Sequence, residues 1–484
     1  MKIAKKLMAI GLAVVFLTAC SSRNSNENYS RNEKEEDTIS ETRNPYYFIE
    51  TPMNLVGRTF RILTVSPRNN WANGITDEAM CDETRKMMEI LREIEYDYNV
   101  SIEINTHSAA GMMGMLTENR RAEARFDLFE VSIMDFRMTS LWEWGLAVPV
   151  THLEVVDVIM PDCNPWRHSE LTTFGEHQWA VGFRPFTATP VIQNVLMFNE
   201  TMRGDFALPN FYDMVRGGTW TWDNFDEMLH EITNVSNGQM IPVIYSHESF
   251  MMPAFIGSNN GMMAESTGTG LRFVGSENNN ALAAMNFVQT FGARGFVHPY
   301  SPLSGHSPYG NIGTAIANGE AFFAFVQYGM VRNLMQQVPG YESEYKFGIL
   351  PTPLGPNGTK FNTVVTNDLV YHIMYCSWRY REAAAILVAI ANRTSQRMYC
   401  VVQRERDCLL LSEGSAEMLE LMLSNVVVDA SRIHTEARRG AGYGIVGAGL
   451  SILRGEETPE QAMQRIDAQI QYWFDNLNEI EVWR

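Results

Sequence analysis

The side chains that could do chemistry gather just past the ends of apolar runs. Thr59–Val65 (TFRILTV) is followed by Asn69, Asn70 and Trp71, and Phe126–Ile133 (FDLFEVSI) by Asp135. Met240–Tyr245 ends in an aromatic residue and leads to His247 and Glu248. Open α/β sheets place ligands at the carboxyl ends of their strands. There an aromatic ring can stack on the apolar face of a solute while amides and carboxylates bond its polar edge. These residue types suit non-covalent capture of a polar molecule. Each also suits a loop in water: Asn70, Trp71 and Asp135 either contact a ligand or face solvent. Of Tyr245, His247 and Glu248, one faces a ligand and the others are solvated.

Motifs for covalent chemistry are missing. The sequence contains no H-E-x-x-H, G-x-S-x-G, P-loop or EF-hand loop, so no metal, no cofactor and no enzyme activity are expected. Gly442-Tyr443-Gly444-Ile445-Val446-Gly447 has the spacing G-x-G-x-x-G. A dinucleotide site needs a strand directly before that motif. The charged SRIHTEARR that precedes it reads as helix or loop. A carboxylate pair for glycoside hydrolysis leaves no short motif, because the pair meets only in the fold. A secreted carbohydrate-active hydrolase is therefore the main alternative, with a surface sensor or adhesin as a third class.

One cysteine stands apart. Lys2, Lys5 and Lys6 precede an uncharged apolar run, Leu7 to Thr18, that stops at Leu17-Thr18-Ala19-Cys20. A basic start, a short apolar core and small residues at its end read as a secretory signal peptide, too short for a spanning helix. The last four residues resemble the lipobox of bacterial lipoproteins. That implies cleavage after residue 19 and acylation of Cys20, and two or more acyl chains anchor a protein stably. Cys81, Cys163, Cys376, Cys400 and Cys408 remain, an odd number without zinc-like spacing, and they read as buried free thiols, with a single Cys400–Cys408 bridge as the alternative.

Residues 20–45 are the lipidated cysteine and a Ser-, Asn- and Glu-rich tether that cannot bury enough apolar surface to order itself. The body after it is too long for one core. Strand, helix (77–98), strand (100–104), helix (118–125), strand (126–133) suggests a parallel α/β sheet. Further strands are expected at 178–183, 189–198, 240–245, 319–327, 346–350 and 364–373. Thr221 can cap a helix to Ile232, with Trp220 and Trp222 packing on the sheet, and another helix covers 278–291. Arg381–Asn392 is an alanine-rich helix. Thr458, Pro459 and Gln461 open a last helix whose stripe is Met463, Ile466, Ile470, Trp473 and Leu477. The net charge of −18, made more acidic by loss of three leader lysines, argues against nucleic-acid binding.

Several phrases in order carry a family resemblance: HQWAVGFRPFTATPVIQNVLMFNETM (177–202), TWTWDNFDEML (219–229), NGQMIPV (237–243), GEAFFAFVQYGMVRNL (319–334), YKFGILPTPLG (345–355), REAAAILVAIAN (381–392) and TPEQAMQRIDAQIQ (458–471). Behind a lipobox and a polar tether, the chain resembles the extracellular solute-binding lipoproteins of bacterial ABC importers, in the sugar- and oligosaccharide-binding group. The resemblance implies a two-lobed periplasmic-binding-protein-like α/β fold with the ligand cleft between lobes joined by hinge crossings. It implies lobe one at 46–188 and 367–410, and lobe two at 189–366 and 411–484. It places Arg184 and Phe186 in the first crossing, Asn367 and Asp368 near the second, and Tyr328 and Tyr443 where a ring would stack on a sugar. The implied partners are a small solute, the permease subunits of an importer and the membrane through the lipid. The expected protein is a monomer on the outer side of the cell membrane.

Overall fold

The computed structural model describes residues 54–64, 82–106, 126–132, 141–153, 172–174, 177–181, 192, 194–245, 248–267, 270–299, 312–328, 331, 347–365, 369–374, 380–397, 412–432 and 444–480. In chain order the main strands are β1 (Arg58–Thr64), β2 (Val100–Thr106), β3 (Leu128–Ser132), β4 (Ala147–Val148), β5 (Val195–Asn199), β6 (Ile241–Tyr245), β7 (Val297–Pro299), β8 (Ala321–Val326), β9 (Phe347–Leu350), β10 (Thr363–Val365), β11 (Leu369–Met374) and β12 (Val426–Val428). The helices that cover them are α1 (Asp82–Tyr98), α2 (Phe211–Arg216), α3 (Trp222–Val235), α4 (Glu248–Ser258), α5 (Asn279–Ala293), α6 (Tyr380–Arg397), α7 (Glu413–Ser424), α8 (Ile445–Leu453) and α9 (Pro459–Asn478).

These strands form two five-stranded sheets, ordered β2-β1-β3-β11-β4 and β7-β6-β8-β5-β9. In the first, β2 and β3 run parallel to β1, as the alternating helices and strands predict. In the second, β7 and β8 run parallel to β6. Each sheet also takes one strand the other way: β11 runs antiparallel to β3, and β5 antiparallel to β8 and β9. Both reversed strands directly follow a passage of the chain from the other sheet. The chain leaves sheet one after Val181, returns between Val365 and Leu369, and leaves again between Arg397 and Ser412.

In sheet two β5, β6, β8 and β9 are buried nearly throughout and read as apolar runs, whereas the edge strand β2 of sheet one alternates apolar and polar residues. In sheet one, Phe60, Ile62, Leu128, Tyr371 and Ile373 meet Ile90 and Ile94 of α1 and the alanine-rich face of α6. In sheet two, Phe198, Val243, Phe323 and Phe325 pack against Phe225 and Leu229 of α3, Phe255 of α4 and Phe291 of α5. The opposite face, with Val195, Met197, Ile244, Ala324 and Val326, meets Ile312, Ile316 and Leu419.

Local sequence sets the helix starts. Thr221 accepts the Asn224 N–H and opens α3, and apolar residues at 222, 225, 229 and 232 turn inward. Trp220 donates to the Pro351 carbonyl at 2.9 Å, and Trp222 stacks on Phe287 at 4.3 Å, so both are core residues as expected. Thr458 and Gln461 form the full capping box of α9, with Pro459 in its first turn. Its buried stripe uses Phe474, while Trp473 is half-buried, a shift of one residue from the expected stripe. The expected single strand at 364–373 is two strands, β10 and β11, in different sheets. An apolar run cannot by itself mark where a chain changes sheet; the polar Thr366-Asn367-Asp368 interrupts it.

Candidate functional site

The expected ligand residues follow strands that prove to be neighbours. Thr64 at the end of β1 lies across from Glu130 near the end of β3, so the connections bearing Asn70, Trp71 and Asp135 start side by side. Those three residues lie outside the described set, as do Cys20, Arg184, Phe186, His247, Asn367, Asp368 and Tyr443. In sheet two, Leu196, Phe325 and Tyr245 form one row across β5, β8 and β6. Tyr245 ends β6 at 5% exposure, within the apolar core. Glu248 opens α4 a few residues further on.

Tyr328 does not present an open ring here. It is 1% exposed and clusters with Ile192, Val195, Ile244 and Val331, while its N–H donates to the Ile192 carbonyl at 2.9 Å. The reason is parity. Side chains alternate across a strand, and Ala324, Val326 and Tyr328 share the face that packs under Ile312 and Ile316. That alternation runs through the end of β8, so the ring fills the core.

Residues that flank the passages between the sheets are bonded to one another. Where they meet sheet one, Val181 and Tyr371 exchange both backbone bonds, at 3.0 and 2.8 Å. Where they meet sheet two, Asn194 Nδ2 donates to the Val364 carbonyl at 3.4 Å. The flanks of the first two passages are therefore tied to each other at both ends. β10 also pairs parallel with β12, and the Asp429 N–H donates to the Val365 carbonyl at 3.1 Å. At the start of α7, after the third passage, the Tyr212 hydroxyl bonds Ser415 Oγ at 2.9 Å and Ser412 Oγ at 3.3 Å. Burial, helped by the nearby Glu200 carboxylate, pushes this phenol up to about 12.

Two buried titratable groups beside these passages carry no local sequence signal. The Asp429 carboxylate accepts the N–H groups of Met263 and Ser431, each at 2.9 Å. Burial raises its pKa despite those donors. His372 lies on β11 at 0% exposure, with ring centroids 5.9 Å from Trp142 and 6.4 Å from Phe129. Neither nitrogen makes a hydrogen bond of normal geometry. Burial lowers its pKa to about 3, and the nearby Phe129 backbone acts in the opposite direction. Both groups read as surface residues by type, and only the fold buries them. Among the described residues, no group of three or more His, Cys, Asp or Glu comes together to hold a metal ion. No described helix is long and apolar enough to cross a membrane.

Two five-stranded sheets between which the chain passes three times define a class of two-lobed α/β proteins, and solved structures share this architecture. The sugar-binding protein MalE of Xanthomonas citri has a TM-score of 0.59 at 12% identity, covering 86% of this chain and 98% of its own. The cyclic α-maltosyl-1,6-maltose binding protein of Arthrobacter globiformis has a TM-score of 0.58 at 11% identity, covering 86% and 99%. The ABC substrate-binding protein Lmo0181 of Listeria monocytogenes, solved with cycloalternan, has a TM-score of 0.52 at 14% identity, covering 87% and 99%. No protein-family model and no curated protein sequence matches the chain. At these identities the likeness is one of fold: the chain has the two-lobed fold of the periplasmic binding proteins.

Proposed function

We propose that the protein is an extracellular solute-binding lipoprotein that captures a carbohydrate, an oligosaccharide above all, and hands it to the permease of an ABC importer. The observation that carries this reading is the pair of five-stranded sheets between which the chain passes three times, an architecture shared with a substrate-binding protein solved with cycloalternan and with a cyclic α-maltosyl-1,6-maltose binding protein. Closure of two lobes about a solute is the hinge motion such binding proteins use. In this reading lobe one is 46–188 with 367–410 and lobe two is 189–366 with 411–484. Asn70, Trp71, Asp135, Arg184, Phe186, Glu248, Asn367, Asp368 and Tyr443 supply the contacts. The chain acts as a monomer without catalysis, held outside the cytoplasm by lipid on Cys20.

A thermal-shift screen over oligosaccharides and peptides tests the ligand class, because a solute that binds only the folded state raises the melting temperature. Shifts with oligosaccharides alone are expected. Shifts with peptides alone would overturn the carbohydrate assignment. Cys20→Ala is expected to release a normally folded protein from membranes, and retention of that variant would point to another attachment.

A further inference from the structure

The outer strands of the two sheets differ in how they meet the risk of further pairing. β4 has two residues and β7 three, the last of them Pro299, and edges this short or ended by proline offer a partner little. β9 has four residues, and its Ile349 N–H donates to Ser415 Oγ of α7 at 3.2 Å. β2 is longer. It runs seven residues, contains neither lysine nor proline, and has β1 as its one strand neighbour among the described residues.

A side chain of α1 occupies that outer edge. The Ile102 N–H donates to Glu95 Oε1 at 2.7 Å. Backbone groups of successive residues point alternately to the two sides of a strand, so Ile102 faces away from β1, and Val100 and Ile104 with it. Local geometry brings Glu95 there. α1 ends at Tyr98, Asn99 turns the chain at a φ of 49°, and β2 starts at once. Ile94 is fully buried, so Glu95, one position on, sits at the margin of the buried stripe and reaches the edge.

The edge is self-complementary. An antiparallel copy centred on Ile102 sets Ile102 against its own counterpart, and Val100 against Ile104 of the second copy, apolar against apolar. Ser101 then meets Glu103 of the second copy, so no two strand carboxylates stand opposite each other. Glu103 already has Arg61 as a partner at 3.0 Å. The two Glu95 carboxylates are what conflicts with this arrangement, because both lie on the central residue of the pair.

We propose that β2 is a strand-pairing surface for β2 of a second copy of this chain, and that Glu95 keeps it closed. The Glu95 carboxylate takes the central N–H that pairing needs and holds a charge where a twin carboxylate would arrive. The inference concerns this edge alone and its test needs no solute, so its failure leaves the capture of a carbohydrate untouched.

The full mature chain, its Glu95→Ala variant and the double variant Glu95→Ala/Ile102→Pro would be compared by sedimentation velocity over a concentration series, with amide exchange followed at Ile104. Proline at 102 takes away an N–H that β1 does not use, a substitution that edge strands tolerate. The wild type is expected to sediment as a monomer throughout. Glu95→Ala is expected to form a dimer that grows with concentration and slows exchange at Ile104, and the added proline to return it to monomer. A Glu95→Ala variant that stays monomeric, a wild type that dimerises as readily, or a dimer without slowed exchange at Ile104 would each overturn the proposal. So would a dimer that survives Ile102→Pro, or open-ended aggregates in place of a dimer. Should Glu95→Ala fail to fold, Glu95→Ser, too short to reach the Ile102 N–H but still polar, is read by the same criteria.

Discussion

Replacing His372 with leucine should change how stability responds to acid. The imidazole has an ordinary pKa near 6.5 when unfolded and is lowered to about 3 in its site between Trp142 and Phe129. The unfolded chain therefore takes up a proton that the folded chain refuses. This group leaves stability intact above about pH 6.5 and erodes it as pH falls toward 3. Each pH unit in that window costs about 1.4 kcal/mol, so the loss is about 2 kcal/mol at pH 5 and approaches about 5 kcal/mol below pH 3. That is a large share of the roughly 5–15 kcal/mol that stabilises a domain. Urea melts followed by tryptophan fluorescence at neutral pH and near pH 5 measure it. The carboxylates titrate in both proteins, so the informative quantity is the difference between wild type and His372→Leu. The variant should equal or exceed wild type at neutral pH, because it removes two polar atoms without hydrogen bonds. Near pH 5 its advantage should grow by about 2 kcal/mol. Parallel pH dependences for the two proteins would refute the reasoning, showing that His372 takes up its proton in the folded state.

Tyr328→Ala should lower stability by about 3–5 kcal/mol, as buried aromatic truncations do; if the melting temperature holds and sugar affinity falls, the ring serves the ligand instead. Asp429→Ala leaves the Met263 and Ser431 N–H groups without their acceptor, which should cost about 1–3 kcal/mol for each in a chemical melt. Asp429→Asn keeps an acceptor and should cost less. Thr458→Ala removes half of the capping box of α9 and should lower stability by about 1 kcal/mol in a thermal melt.

Local chemistry made part of this fold legible. The Thr221 cap and the Thr458–Gln461 box act within one helical turn, so the side chains that start α3 and α9 are written beside them. The parallel order of β1, β2 and β3 followed from a helix between strands. Contacts between distant segments were not legible in the same way. Nothing near Val364 says that its carbonyl meets Asn194, or that β10 and β11 belong to different sheets. An aromatic residue after a strand fits a ligand or a core equally well by type, and Tyr328 lies buried among Ile192, Val195 and Ile244. The parity of Ala324, Val326 and Tyr328 was in the sequence and favoured the core. His372 and Asp429 are polar residues whose burial follows from long-range packing. Local patterning could not supply it.

The central claim is capture of a carbohydrate without chemical change. The most direct measurement incubates the full mature chain with a mixed maltodextrin pool, separates protein from free sugar by gel filtration, denatures it and analyses what is released. The account predicts an intact oligosaccharide at no more than one molecule per chain, with no new reducing ends in the free pool. Steady appearance of shortened sugars in excess of the protein, or no sugar retained from this or any broader glycan pool, would contradict it.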